Sequence, residues 1–549
     1  MWCLHIPVMD RTSFEGLMQL IEKVVEAETS SIPNRPIYIV GECLGACLAL
    51  SVAARNPNVD LILILANPAT SYERSPLQIL STVLQDLKYP LQLTAPYVLS
   101  LIAGADPLKM FGTVVNNLVL EHSAVLSQDS LMSSHLLMFS AVFPGKTLLW
   151  KLNLMQSAAA YANSRLHTVS AQTLILSSDE DRLLPSTQEA MKLELSLAKC
   201  ERRNFSDSGH FLFLEDCMDL MTIIKNTSFY RRRKYQDFVS DYIQPTPSEF
   251  ANIAEASKWL LHATDSVMLS TVEDGMIVKG LDGIPSEGPV IYVGYHMLLG
   301  MELVPLVGHL FAKRNILLRG IAHPMMFSRS KNSQTVDLSF YDTIRMMGGV
   351  PACSSSIYKL LSSKAHVLLF PGGMREACHR KGEEYKLIWP EQPEFVRMAA
   401  KFGAKIVPFG SVGEDDFAEV VFDYDDQMNV PFLREFNKEL ADSIVRLRSV
   451  EVSGEVGNQE LHLPGLLPKL PGGRVYFYFG KPIETIGKQR ELRDGDKAKA
   501  LYMQVKSEIE NCIAFLKEKR RFDPYRSLPT RIMYKATHGI DAEVPTFEL

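Results

Sequence analysis

The stretch Ile37-Tyr38-Ile39-Val40-Gly41-Glu42-Cys43-Leu44-Gly45 runs from an apolar strand into a glycine-flanked turn. A small-residue helix, Ala46 to Arg55, follows. A strand, a sharp turn carrying a nucleophile, and a helix form the elbow on which hydrolases of the α/β type expose their reactive atom. The flanking residues must be small because the turn is crowded. Working outward, Leu61 to Leu65 is a continuous apolar run, as a parallel strand buried on both faces requires. Thr173 to Ser177 is another. Between them, about 75–165, lies a helical, less regular segment interrupted by Pro90, Pro96 and Pro107, which reads as a cap. Met1 to Pro7 reads as a strand ahead of the elbow strand.

Two partners follow Cys43 in the order such hydrolases use. Asp181 lies just beyond a late strand, with Asp179 as a competitor, and His210 sits in the turn Ser208-Gly209-His210-Phe211. Asp181 would fix the His210 tautomer, and His210 would deprotonate Cys43. The plainer alternatives are a buried, inert thiol and a loop or capping carboxylate. The Leu44 N–H would be one oxyanion donor; the other normally comes from a loop after an earlier strand. The expected layout leaves out that loop and the strands before it. The loss of one donor slows such chemistry by about 10²–10³-fold. The opening on a buried-type strand is read as a shortened N-terminus.

The second half alternates again, so both halves are expected to be α/β. Strands are expected at Pro289 to Val293, Ile316 to Arg319, His366 to Phe370, Lys405 to Phe409 and Val475 to Phe479, with a helix at Glu394 to Lys401. Ligands of open α/β sheets gather beyond the C-terminal ends of the strands. Four such ends carry polar residues. His296 lies in Gly294-Tyr295-His296-Met297-Leu298-Leu299-Gly300-Met301-Glu302 and could take a proton from an attacking alcohol. Glu302 is the nearest acid, but an ideal helix would set the two about 120° apart, which leaves their pairing open. In Phe370-Pro371-Gly372-Gly373-Met374-Arg375-Glu376 the glycine N–H groups could hold an anion. Arg375 could pair with an anionic group there, and Glu376 could accept from an alcohol. Arg319, His323 and Glu414 are further candidates. The plain structural alternatives are a satisfied core histidine for His296 and a mere turn for the Pro-Gly-Gly stretch.

The chain has 549 residues, 46% hydrophobic and 22% charged, with a formal net charge of -6. That is room for two large domains, expected at 1–228 and 229–549. The charge balance argues against nucleic acid, which is bound through a basic face. The 8 cysteines form no CxxC pair, so neither a zinc site nor a disulfide framework is indicated. The basic run Tyr230 to Lys234 is read as surface or as a contact for anionic lipid heads, and the Pro-containing stretch Gln244 to Ser248 as part of the connection between domains. No stretch approaches the roughly 20 apolar residues of a spanning helix.

Three segments resemble the plant phytyl ester synthase family: Gly294 to Leu303, Phe370 to Leu387 and Trp389 to Gly413. The most specific piece is Pro371 to Leu387; Pro390 to Ala400 and Asp523 to Leu528 agree. The resemblance covers essentially the whole chain. It implies an α/β-hydrolase domain followed by a domain similar to type 2 diacylglycerol acyltransferases. It further implies acyl transfer from acyl-CoA, acyl-carrier protein or galactolipids to phytol or diacylglycerol, without metal or redox cofactor, in chloroplasts and at the surface of plastoglobules, reached as a peripheral membrane or lipid-droplet protein. Residue by residue, the family's histidine falls on His296, its Gly-Gly-x-x-Glu motif on Gly372, Gly373 and Glu376, and its hydrolase nucleophile on Cys43, with Asp181 and His210. The chain departs from the pattern at three points. Met301 stands at the acid position of His-x4-Asp, with Glu302 one later. His-Pro-His-Gly reads His296-Met297-Leu298-Leu299-Gly300. Cysteine replaces the hydrolase serine. The leading expectation is an acyltransferase with His296 as base; the alternatives are an esterase or thioesterase built on Cys43, and a non-catalytic lipid-binding protein.

Overall fold

A computed structural model describes residues 2–7, 9–86, 145–214, 218–226, 230–327, 343–438, 462–540 and 542–549. The chain divides into two compact units, Met1–Ile224 with Phe229–Gln236, and Lys225–Ser228 with Asp237–Leu549.

The first unit contains α1 (Phe14–Ser31), β1 (Ile37–Glu42), α2 (Leu44–Arg55), β2 (Leu61–Ala66), α3 (Gly145–Arg165), β3 (Gln172–Ser178), α4 (Ser186–Ser196) and β4 (Cys200–Phe205). The four strands pair in parallel in the order β1-β2-β3-β4. Every residue of β2 is buried, which is why its sequence is uninterrupted Leu, Ile and Ala. The small side chains of α2 let it pack closely, and eight of its residues are buried. Residues 2–7 form no strand, contrary to the reading above, and only Ile6 among them is partly covered. Apolar composition alone cannot make a strand without a neighbour to pair with. Among the described residues the segment ahead of β1 contributes a helix instead. Of the expected cap, residues 87–144 lie outside the described residues; α3 is its far end.

The basic run is not a lipid-facing patch at Arg231. That side chain is buried and holds Asp60 at 2.6 Å and Gln172 at 3.2 Å, fastening the segment to the unit's own sheet. Thr246 is no linker residue either. It closes a capping box with Glu249 at the start of a helix, Pro247–Ala256.

Among the described residues the second unit is built on an eight-stranded mixed sheet. Its strands are β5 (Val267–Thr271), β6 (Ile277–Lys279), β7 (Val290–Gly294), β8 (Leu318–Ala322), β9 (Val350–Pro351), β10 (His366–Leu369), β11 (Lys405–Val412) and, after a separate pair β12 (Ala418–Phe422) and β13 (Gly465–Pro468), β14 (Tyr476–Phe479). The order is β6-β5-β14-β11-β7-β10-β8-β9. The central strands β11, β7, β10 and β8 run parallel, so their C-terminal ends share one edge. That edge brings residues 294–302, 370–376, 319–323 and 413–416 together. The aromatics of β14 are core, with Tyr476, Phe477 and Phe479 almost fully buried.

A long helix, α5 (Gly495–Lys519), backs β11. Its N-cap Asp494 accepts from the Asp496 N–H at 2.9 Å. Leu501, Tyr502, Val505, Ile509, Cys512, Ile513 and Leu516 fall on one buried stripe. Gly410 on β11 makes this approach possible: a Cβ there would lie 2.8 Å from the Ile513 nitrogen. Gly410→Ala should therefore force the helix off the sheet and lower stability by about 1–3 kcal/mol. Urea unfolding followed by tryptophan fluorescence measures this.

Candidate active sites

In the first unit, Cys43 adopts φ 52°, a left-handed conformation that a non-glycine residue holds only under strain. Gly41 is required beside it, because a Cβ would fall on the Gly45 backbone. Leu44 opens α2, where N–H groups have no intrahelical acceptor. His210 is buried, and its Nδ1 meets Asp181 Oδ2 at 2.8 Å. Asp181 Oδ1 accepts from the Leu183 and Leu184 N–H groups at 2.9 and 3.0 Å, and Ser186 donates to Oδ2. Asp179 turns away to Thr187 and Asn204. Burial pulls the His210 pKa down. The charge of the neighbouring Cys43 sulfur, and then Asp181, outweigh it, and the imidazole is pushed up to about 10. The structure thus brings Cys43, His210 and Asp181 together.

Asn67 was not singled out in the sequence. It follows β2 with φ 39°, is buried, and donates to Ser178 Oγ and to the His210 carbonyl at 2.9 and 2.8 Å. It ties the turn that presents His210 to the ends of β2 and β3. A polar residue ending a wholly apolar strand was the available signal.

In the second unit, His296 Nδ1 meets Glu302 Oε1 at 2.5 Å. The helix on which the two would diverge does not form. Leu299 and Gly300 turn through φ 51° and 74°, and the chain folds back so that Glu302 lies beneath His296. Glu302 is completely buried. The His296 ring, 14% exposed, stacks on Phe370 at 4.3 Å, with 10° between planes. Burial lowers its pKa, but the Glu302 charge and hydrogen bond outweigh that and raise it above 6.5. With Nδ1 engaged, Nε2 is the nitrogen left for a substrate. His296 borders a cavity of about 1720 Å³. Its wall includes Leu303, Val307, Ile321, Phe370 and Phe395, with His323 and Gly373.

The remaining candidates have other duties. Glu376 is not placed to bind an alcohol: it is completely buried, and its two oxygens accept from the His296 and Ile388 N–H groups at 3.1 and 2.8 Å. Burial pushes its pKa up to about 7, with those N–H groups and the His296 charge opposing. Gly372 makes room for that carboxyl, since a Cβ would fall on it. The Gly373 N–H donates to the Phe370 carbonyl at 3.0 Å and is not directed at an anion. Arg375 grips both oxygens of Glu383 at 2.8 and 2.9 Å. Arg319 lies buried over the Tyr242 ring and donates to the Gly348 and Phe238 carbonyls. Glu414, also buried, accepts from the Leu298 N–H and from the Tyr295 hydroxyl, and burial pushes its pKa up to about 8. Tyr295 in turn accepts from the Tyr385 N–H at 3.1 Å. Neither tyrosine was singled out; both look like ordinary core aromatics in the sequence. Among the described residues no cluster of three or more His, Cys, Asp or Glu is placed to hold a metal ion.

Relatives place the chain. It is 51% identical over its full length to phytyl ester synthase 2, chloroplastic, of Arabidopsis thaliana, spanning 79% of that protein. Phytyl ester synthase 1, chloroplastic, of the same plant is 49% identical over the full chain, with 78% of its length spanned. The chain belongs to the phytyl ester synthase family. The family model of diacylglycerol acyltransferase matches residues 330–522, and that of serine aminopeptidase S33 matches residues 9–216. A slighter likeness, 23% over 139 residues, covers 25% of this chain and 39% of a Bos taurus protein named DGAT1/2-independent enzyme synthesizing storage lipids. This member of the phytyl ester synthase family is an acyltransferase with an α/β-hydrolase half and an α/β acyltransferase half. The two matches contain Cys43, Asp181 and His210 in one and Gly372 to Glu376 in the other; His296 and Glu302 lie ahead of the second.

Glu302→Gln keeps an acceptor for the Nδ1–H and removes the charge. The His296 pKa should then fall from its raised position, and the imidazole should lose its proton at lower pH. NMR titration of the histidine ring signals, with His296→Ala to assign them, measures this. An unmoved pKa would show that the Glu302 charge does not govern the ring.

Proposed function

We propose that the second unit transfers fatty acyl groups to phytol, with His296 as general base. The observation that carries this reading is the His296–Glu302 pair at the wall of a large apolar cavity. The alcohol gives its proton to Nε2 as its oxygen attacks the acyl carbonyl. Glu302 steadies the imidazolium that results. The leaving group then takes that proton as the tetrahedral adduct collapses. Glu376 and Glu414 act through the backbone, holding residues 296 and 298 where this can happen.

Diacylglycerol is the second acceptor in this reading, and acyl-CoA, acyl-carrier protein or galactolipid the donors. The names of the relatives support phytol and a chloroplast setting; the plastoglobule surface is part of the same proposal. Ile540, on the cavity wall and 72% exposed, offers lipid a way in from a surface. Among the described residues no helix is long and apolar enough to cross a membrane. The domain division expected from the sequence, 1–228 and 229–549, goes with this reading except at the join, where residues 230–236 belong to the first unit.

His296→Ala should lower phytol acylation by about 10²–10⁴-fold, assayed with radiolabelled acyl-CoA. An undiminished rate would remove His296 from the reaction.

A second reading is favoured by the strained elbow at Cys43 with His210 and Asp181 assembled beside it. In it, the first unit cleaves acyl esters or thioesters. Cys43→Ala, and an alkylating thiol reagent, should each abolish that cleavage in a spectrophotometric ester assay; cleavage that survives both would exclude it.

A further inference from the structure

The nucleophile position holds sulfur, and this limits which donors suit the site. Cys43 sits at a strained turn beside His210, which is itself held by Asp181 at 2.8 Å. Its Sγ lies 3.6 Å from the Met155 thioether on α3, a soft, weakly polar neighbour for a sulfur atom. We infer that the Cys43 site draws acyl groups from thioester donors in preference to alkyl esters such as glycerolipids, and carries them as a Cys43 thioester to a hydroxyl acceptor. The inference rests on the second reading above and narrows it to one donor class.

The reason lies in which group the tetrahedral adduct expels. An adduct formed on Cys43 carries its sulfur and the donor's leaving atom. With an alkyl ester, Cys43 is the better leaving group, since a thiol has a pKa near 8.5 and an alkanol a far higher one. The adduct then reverts unless a strong acid protonates the alkoxide. With a thioester the two sulfurs are matched, and exchange is nearly even.

The steps balance without an oxidant or reductant. The Cys43 thiolate bonds to the carbonyl carbon, the donor's C–S bond breaks, and the departing sulfur takes the proton of the His210 imidazolium. A hydroxyl then gives its proton to His210, its oxygen bonds to the carbonyl carbon, and the Cys43 C–S bond breaks to restore the thiolate. The second half is downhill, since a thioester becomes an oxygen ester or an acid.

The test uses the full chain carrying His296→Ala, so that the second unit adds no turnover. Palmitoyl-CoA and monopalmitoylglycerol are the two probes. With palmitoyl-CoA, a burst of free CoA of at most one per chain should precede steady release. Acid-quenched protein should carry palmitate on Cys43, removable by neutral hydroxylamine and absent from Cys43→Ala. The kcat/KM ratio of palmitoyl-CoA to monopalmitoylglycerol should fall by about 100-fold in Cys43→Ser, where the nucleophile is an oxygen. That ratio decides the matter even if the adduct turns over too fast to trap. An equal ratio in the cysteine and serine proteins, or palmitate loaded as fast from monopalmitoylglycerol, would overturn the inference while leaving the triad intact. Equal cleavage of both probes by the cysteine and Cys43→Ala proteins would remove the triad reading as well.

Discussion

A carboxylate without solvent exposure persists only where donors or a cation meet it, because an uncompensated charge at such depth costs several kcal/mol. Three buried carboxyl groups, two of them with raised pKa, underlie the loop that carries His296. Glu302 meets the imidazole ring; Glu376 and Glu414 take the N–H groups of residues 296 and 298. Each carboxylate comes from a different place at the sheet's edge: the loop itself, the turn after β10, and the turn after β11. The loop position is thus set by the register of three parallel strands. That is why the glycines of the Phe370 to Glu376 turn matter. Gly372 creates the space that the Glu376 carboxyl occupies, and moving that carboxyl would release the histidine's own backbone.

The sequence was most legible where chemistry and chain direction coincide. Polar residues just past apolar runs marked the ends of β7, β8, β10 and β11, and the glycine-flanked Cys43 marked the elbow. It was least legible where a side chain's duty depends on what another strand presents. Arg375 and Arg319 look like anion ligands in one dimension, yet one meets Glu383 and the other meets backbone carbonyls. The pairing of His296 with Glu302 stayed open because helical geometry forbids it, and only two consecutive left-handed residues, Leu299 and Gly300, allow it. Residues 2–7 show the opposite failure: apolar composition suggested a strand, and composition does not supply a pairing partner.

The two units carry similar histidine–carboxylate pairs in different settings. In both, a histidine is oriented through Nδ1 by a carboxylate and has its pKa raised by it. In the first unit the histidine faces Cys43 on a strained turn. In the second it stands at a cavity wall. On the proposed readings, the first arrangement would store an acyl group on the protein, and the second would require donor and acceptor to be present together.

The cavity beside His296 has a further consequence for turnover. An ester of a fatty acid with a long-chain alcohol has lost the hydroxyl of one reactant and the charged or sulfur-bearing head of the other. It is therefore the least water-soluble molecule in the proposed cycle, and the apolar wall would hold it more firmly than either precursor. Departure into water would be slow, and product release commonly limits enzymes of this kind of enclosure. A neighbouring lipid phase would relieve that limit by receiving the product directly. Turnover would then follow the partition of the ester between protein and lipid, with the surface acting as a sink.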